Sequence, residues 1–190
     1  MRPNNFNFKN GILNVEDMSL NDVLANFSTP FYIYTKASIL ESCEAYLSNI
    51  ESTDLVCFAV KANSNLQLLK ILAEAGLGFD VVSGGELSRV IKIGADPKKI
   101  VFSGVGKTKA ELAKAAELEI FSINVESSYE LENIIELEKN PRVSFRINPD
   151  MSGDTHPYIE TGKADCKFGI SEVEAISLAK KYSPEEINLV

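Results

Sequence analysis

The sequence predicts an α/β protein built on a (β/α)8 barrel, and three observations carry that prediction. From Leu55 onward, short apolar runs alternate with amphipathic stretches at a spacing of about twenty residues, the rhythm of βαβ units and a parallel sheet. The run Leu55 to Val60 is continuous rather than alternating, as in a strand buried on both faces. Successive runs end on polar residues of one facing parity: Lys61, Asp80, Ser103, Asn124 and Arg146. A barrel gathers such residues at one mouth, where barrel enzymes keep their active sites. The competing architecture, a doubly wound sheet, would use only those beside its switch point. Eight strands close a barrel, whereas this sequence supplies five with a sixth beginning at Ile187. The chain is therefore expected to be the first part of a longer protein.

The elements follow in order. Phe6-Asn7-Phe8 and Ile12 to Val15 flank Gly11 as two short strands around a turn. Ser19 caps a short helix through Phe27, with Asp22 at its third position, and Thr29-Pro30 stops it. Residues 1–30 thus form an N-terminal segment distinct from 31–190. Phe31 to Thr35 reads as a strand, and Ser38 to Ile50 as a helix with Ile39, Cys43, Tyr46 and Leu47 on its apolar stripe. After the strand ending at Lys61, the turn Asn63-Ser64-Asn65 caps a helix from Leu66 to Ala75, closed by Gly76. Phe79 to Val82 is the next strand and Gly84 to Ile93 the next helix. Ile100 to Phe102, Ile120 to Val125 and Val143 to Ile147 complete the strands, with helices capped by Thr108 and Ser127 between them. A polar loop spans Asn148 to Phe168, and Ser171 caps a helix to Tyr182.

Composition narrows the function. A net charge of -8 without any Lys/Arg cluster argues against nucleic acid or an anionic membrane as partner. No apolar segment approaches ~18 residues, so none spans a bilayer, and Met1 to Asn10 lacks the apolar core of a signal peptide. Cys43, Cys57 and Cys166 are widely spaced and odd in number, which fits reduced thiols in the cytoplasm. No metal site is expected, because the single His156 has no second ligand at useful spacing; a loop anchor is its expected role.

Two glycine segments imitate anion sites. Ser103-Gly104-Val105-Gly106-Lys107-Thr108 lacks the first glycine of a P-loop, Val101 standing in its place, and reads as a tight turn at the mouth. At Ser83-Gly84-Gly85-Glu86 the acid in the first turn already meets the helix dipole. Lys61 has two readings, a reactive amine or a charge leaving a strand for solvent. Held at an apolar mouth, its amine would lose hydration and become competent to form a Schiff base with a carbonyl. Asp80 could hold Lys61 or a cationic ring, or be a solvated strand end. Arg146, inward on its strand, needs an anionic partner: Asp80, a cofactor phosphate or a substrate carboxylate.

Phe58-Ala59-Val60-Lys61-Ala62-Asn63, followed by Phe79-Asp80-Val81-Val82-Ser83-Gly84-Gly85-Glu86-Leu87, resembles the fold-type III pyridoxal-phosphate enzymes, which include alanine racemases and barrel-type basic amino-acid decarboxylases. Four later segments are similar to those of the diaminopimelate decarboxylases: Val101 to Lys107, Ile123 to Ser127, Arg146 to Pro149, and Thr155 through Thr161-Gly162 to Ile170. The resemblance runs from about Thr29 to the end, in order and spacing. It implies that Lys61 carries pyridoxal 5'-phosphate and that Ala59, Asp80 and Arg146 line the cofactor pocket. The implied reaction is loss of carbon dioxide from meso-2,6-diaminopimelate to give L-lysine, in a cytoplasmic homodimer. Residues 1–30 would then belong to a second, β-rich domain, and 31–190 to the cofactor-binding barrel.

The family's ring-stacking histidine, glycine-rich phosphate site, pyridine-facing acid, substrate-binding arginine and cysteine proton donor are all expected beyond Val190. None of Cys43, Cys57 and Cys166 matches that cysteine. These 190 residues are accordingly expected to be inactive and marginally stable alone. Two other readings remain: a related decarboxylase acting on ornithine, arginine or carboxynorspermidine, and a truncated, non-catalytic homologue that binds the cofactor.

Overall fold

The computed structural model describes residues 5–149 and 168–190. At the N-terminus β1 (Phe6–Lys9) and β2 (Ile12–Val15) form the expected hairpin, turning through Asn10 and Gly11, both at positive φ. A short third strand, β3 (Met18–Ser19), joins them and leads into α1 (Leu20–Leu24), which ends earlier than expected. Ser19 caps that helix as the sequence predicts, its hydroxyl accepting from the amides of Asn21 and Asp22. The hairpin is tied to the next layer by Glu16, whose carboxylate accepts from the Ala37 amide at 2.9 Å.

Phe31 to Thr35 forms no strand. Its residues keep the in–out alternation of one, with Thr35 buried and Tyr32 and Tyr34 exposed. No described strand lies alongside to complete a ladder, so the stretch is extended but unpaired. Thr35 instead caps α2 (Lys36–Leu47), accepting from the Ser38 amide.

The main sheet has six parallel strands: β4 (Cys57–Ala59), β5 (Gly78–Val81), β6 (Ile100–Phe102), β7 (Ser122–Val125), β8 (Arg142–Phe145) and, after two intervening strands, β11 (Asn188–Leu189). Their spatial order is β11-β8-β7-β6-β5-β4, which follows the chain without reversal. A doubly wound sheet reverses at a switch point. Monotonic order with right-handed crossovers keeps the helices on one side and leaves the other to become a barrel interior. These are six strands of a (β/α)8 barrel.

The helices that return the chain are α3 (Leu66–Glu74), α4 (Gly84–Lys92), α5 (Lys109–Glu117), α6 (Ser128–Ile135) and α7 (Glu172–Lys181). Each starts at a side-chain cap: Asn65, Ser83, Thr108, Ser127 and Ser171 accept from amides of the first turn, filling donors the helix itself leaves unpaired. Each buries a stripe at helical spacing against the sheet, such as Leu69 and Leu72, Leu87 and Val90, and Leu131 and Ile134. The opposing strand residues Phe79, Val81, Phe102, Ile123, Val125 and Val143 are all essentially inaccessible to water. Beyond β8 the chain kinks at Arg146, and β9 (Ile147–Asn148) pairs in parallel with β10 (Ile170–Ser171). This two-stranded extension is absent from the sequence reading, which runs one strand from Val143 to Ile147. Ile147 is accordingly exposed rather than packed on the helices.

Because Phe102 sits wholly buried between sheet and helices, Phe102→Ala is expected to cost about 3–5 kcal/mol in urea unfolding. Tyr129→Ala, 69% exposed on α6, is expected to stay within about 0.5 kcal/mol.

Candidate active site

Parallel pairing fixes which residues share a level. Ala59 lies opposite Asp80, Asp80 opposite Val101, Val101 opposite Ser122, and Asn124 opposite Ser144. Side chains alternate along a strand, so residues two further on form the next level toward the carboxyl ends, and Ser103 and Asn124 stand one level above Asp80. A cavity of about 740 Å³ opens there, lined by Lys61, Asp80, Ser103, Asn124, Ser144 and Arg146 among others. All five strand-end residues singled out from the sequence meet in it. Ala59 does not line it; it sits half-buried one level below Lys61, beside Asp80.

The strand leading to Lys61 is shorter than expected. It ends at Ala59, and Val60–Ala62 form a single 3-10 turn. Val60 anchors that turn in the core while Lys61 is exposed. The burial that would strip water from its amine is therefore absent from this structure. Lys61 makes no hydrogen bond or ion pair with any described residue.

Four polar side chains bridge neighbouring strand ends. Ser144 donates to the amide oxygen of Asn124 at 2.6 Å, Asn124 donates from its Nδ2 to Ser103 at 3.0 Å, and Ser103 donates to Asp80 Oδ1 at 2.5 Å. Each hydroxyl both gives and receives except the first, so the direction of the chain is set and it ends on a carboxylate, which only accepts.

Arg146 pairs with Glu126, at 3.0 Å, and not with Asp80. Its guanidinium also lies over the Phe168 ring, 4.8 Å from the centroid. Glu126 is buried and takes the Gly104 amide on the same oxygen as Arg146, at 2.8 Å, and the Gly169 amide on the other, at 3.3 Å. Beneath it, Lys107 places all three ammonium donors: on the carbonyls of Gly104 and Asn124, each at 2.8 Å, and on Glu130 at 2.5 Å. The second oxygen of Glu130 receives the Glu126 amide at 3.1 Å. Burial pushes the Glu130 carboxyl above its ordinary value, and the Lys107 ammonium opposes that shift.

Lys107 is thus a structural ion, which removes the P-loop imitation. The second glycine segment is also occupied: Glu111 takes the Gly84 amide at 2.6 Å and Glu86 the Val82 amide at 2.8 Å. Glu126 and Ser144 are the site residues that reading the sequence for chemistry misses. Strand parity marks Ser144 as inward, yet a lone serine carries no signal of its own. Among the described residues no cluster of His, Cys, Asp and Glu could hold a metal, and no helix is long and apolar enough to cross a membrane. His156, Cys166 and the Thr155 segment lie outside the described residues.

The residues present suit pyridoxal phosphate. Lys61 offers an amine unpaired among the described residues, Asp80 an oriented carboxylate, and the cavity falls within the ordinary range for a small ligand. Comparison with known proteins points the same way. Residues 36–190 match the family model described as pyridoxal-dependent decarboxylase, pyridoxal binding domain. The chain is 46% identical over 178 residues to the diaminopimelate decarboxylase of Pseudomonas aeruginosa, covering 90% of this chain and 43% of that protein. With that of Vibrio cholerae it shares 46% over 172 residues, 87% of this chain and 41% of the other. The crystal structure of the Helicobacter pylori diaminopimelate decarboxylase complexed with L-lysine superposes with a TM-score of 0.83 at 39% identity, over 90% of this chain and 44% of that one. The chain therefore spans about two fifths of the length of the curated relatives it matches.

One inward neighbour reports on Asp80. Burial and the Asp80 charge together push the Cys57 thiol up to about 11. Removing the charge should restore part of the thiolate, since desolvation alone then opposes it. Asp80→Asn is expected to alkylate at Cys57 several-fold faster than the parent at mildly alkaline pH, read by peptide mass mapping. Equal rates would show that Asp80 exerts no field on the inward face.

Proposed function

The chain belongs to the pyridoxal-dependent decarboxylases, and from that premise we propose that Lys61 is its cofactor-holding residue and that the whole protein converts meso-2,6-diaminopimelate to L-lysine and carbon dioxide. The observation that carries the reading is the convergence of Lys61, Asp80 and Arg146 on one cavity at the carboxyl ends of parallel strands. When bound, pyridoxal phosphate supplies an electron sink for the pair released as the carboxylate leaves. The protein's share is binding, orientation and charge.

In this reading Lys61 holds the cofactor through its amine, the one lysine amine among the described residues that lines the cavity. The 3-10 turn directs it there, because Val60 is locked into the core on the opposite side. Asp80 sets the charge beside the cofactor, with its orientation held by Ser103. Ala59 keeps the level below Lys61 free of bulk. Arg146, tied to Glu126, lines the wall rather than neutralising Asp80. The substrate assignment is supported by relatives named diaminopimelate decarboxylase. We further propose that residues 1–30 contribute to a second, β-rich domain and that the protein works as a homodimer in the cytoplasm.

Borohydride reduction in the presence of pyridoxal phosphate, followed by peptide mapping, is expected to leave the pyridoxyl group on Lys61 and to leave none in Lys61→Ala. A label on another lysine would remove the assignment. Asp80→Asn is expected to weaken cofactor binding about tenfold or more. For the substrate, product analysis of the whole protein against meso-diaminopimelate, ornithine, arginine and carboxynorspermidine should show lysine from the first and little turnover of the others.

A further inference from the structure

The cavity's wall is assembled from segments far apart in sequence, and one buried carboxylate touches three of them. Glu126 follows β7, its side chain is 2% exposed, and its two oxygens receive the Gly104 amide from the turn after β6, the Arg146 guanidinium at the end of β8, and the Gly169 amide just before β10. Neither glycine takes a side chain without strain. A Cβ on Gly169 would meet the Arg146 carbonyl at 2.6 Å, and one on Gly104 would meet Val82 at 3.2 Å; both glycines hold positive φ. Both amides are directed at the buried Glu126 carboxylate, which supplies the acceptor that each needs. Glu126 is itself held from below, since its own amide is donated to Glu130, the carboxylate that pairs with Lys107.

Taking the proposed cofactor site as given, we propose that Glu126 is a positioning residue. It latches the Gly104 turn, Arg146 and the Gly169 segment together and so sets the wall against which the cofactor is held, without lining the cavity itself. An acceptor-only group is required there, because every one of its three partners is a donor. Glutamine in its place would turn an NH2 group toward at least one of them and leave that donor unsatisfied.

The test compares the whole parent protein with its Glu126→Gln and Glu126→Asp variants, the latter keeping the charge on a stem one methylene shorter. Amide hydrogen exchange is measured without cofactor, and the dissociation constant for pyridoxal phosphate by absorbance titration, with borohydride trapping on Lys61. In Glu126→Gln, exchange at Gly104 and Gly169 is expected to rise about tenfold, while the amides of β5 exchange as in the parent. Cofactor affinity falls by a similar factor, with Lys61 still the trapped residue. Glu126→Asp is expected to lie between the two, and it decides the matter if Glu126→Gln does not fold. Unchanged exchange at both glycines overturns the proposal, as does accelerated exchange with parental cofactor affinity. A whole parent protein that takes no pyridoxyl group on Lys61 overturns instead the site reading on which the proposal rests, and that result is visible before any variant is made.

Discussion

Everything at the mouth depends on the register of the parallel ladder. With Phe58 opposite Phe79, Phe79 opposite Ile100 and Phe102 opposite Ile123, the apolar set of every strand faces the helices. The alternate residues Asp80, Ser103 and Asn124 face inward. A slip of one residue on any strand would exchange the two sets. It would drive a carboxylate or an amide into the helix layer and expose a phenylalanine or isoleucine worth about 1.5–3 kcal/mol of burial each. No polar contact at the site could offset that. The apolar face therefore aligns the polar one, and residues with no chemistry of their own place those that have it.

Alignment alone would leave the carboxyl ends of the strands as splayed loops with unpaired backbone groups. Past Phe102 and Val125 the ladders stop, and side chains take over the work of the missing backbone bonds. Lys107 links the carbonyls of Gly104 and Asn124, Glu126 collects two glycine amides, and Glu130 ties the one to the other. Burying two carboxylates and an ammonium costs several kcal/mol per ion before their attraction is counted, so such a cluster is a poor route to stability. Its return is geometric: each charge has a fixed number of donors or acceptors in fixed directions. An apolar plug of equal volume would hold the loops together but would not set where their amides point.

Local signals were legible in the sequence and distant ones were not. Ser19, Asn65, Thr108, Ser127 and Ser171 each cap the helix predicted for them, because a cap is a contract between neighbours two or three residues apart. The inward parity of Asp80 and Asn124 was likewise readable, since it needs only the period of a strand; Lys61, Ser103 and Arg146 reach the same cavity from just past their strands. Phe31 to Thr35 has the composition and alternation of a strand, yet a strand exists only with a partner, and pairing is not written in the segment itself. The same limit hid the partner of Arg146. Asp80 was as plausible a choice as Glu126 by charge, and only the fold sets the guanidinium beside the latter.

The two lysines near the mouth show how placement and hydrogen bonding together assign a role. Sequence pattern draws the eye to Lys107, set between glycines and a threonine, at least as strongly as to Lys61. Lys107 lies under the wall with its three donors on three acceptors, one of them a carboxylate. Lys61 stands above Ala59 on a one-turn helix, its amine unengaged by any described residue and directed at the cavity. A nucleophilic amine must be able to reach the carbonyl it attacks. Lys107 is buried with its donors engaged by the fold, whereas Lys61 lines the cavity.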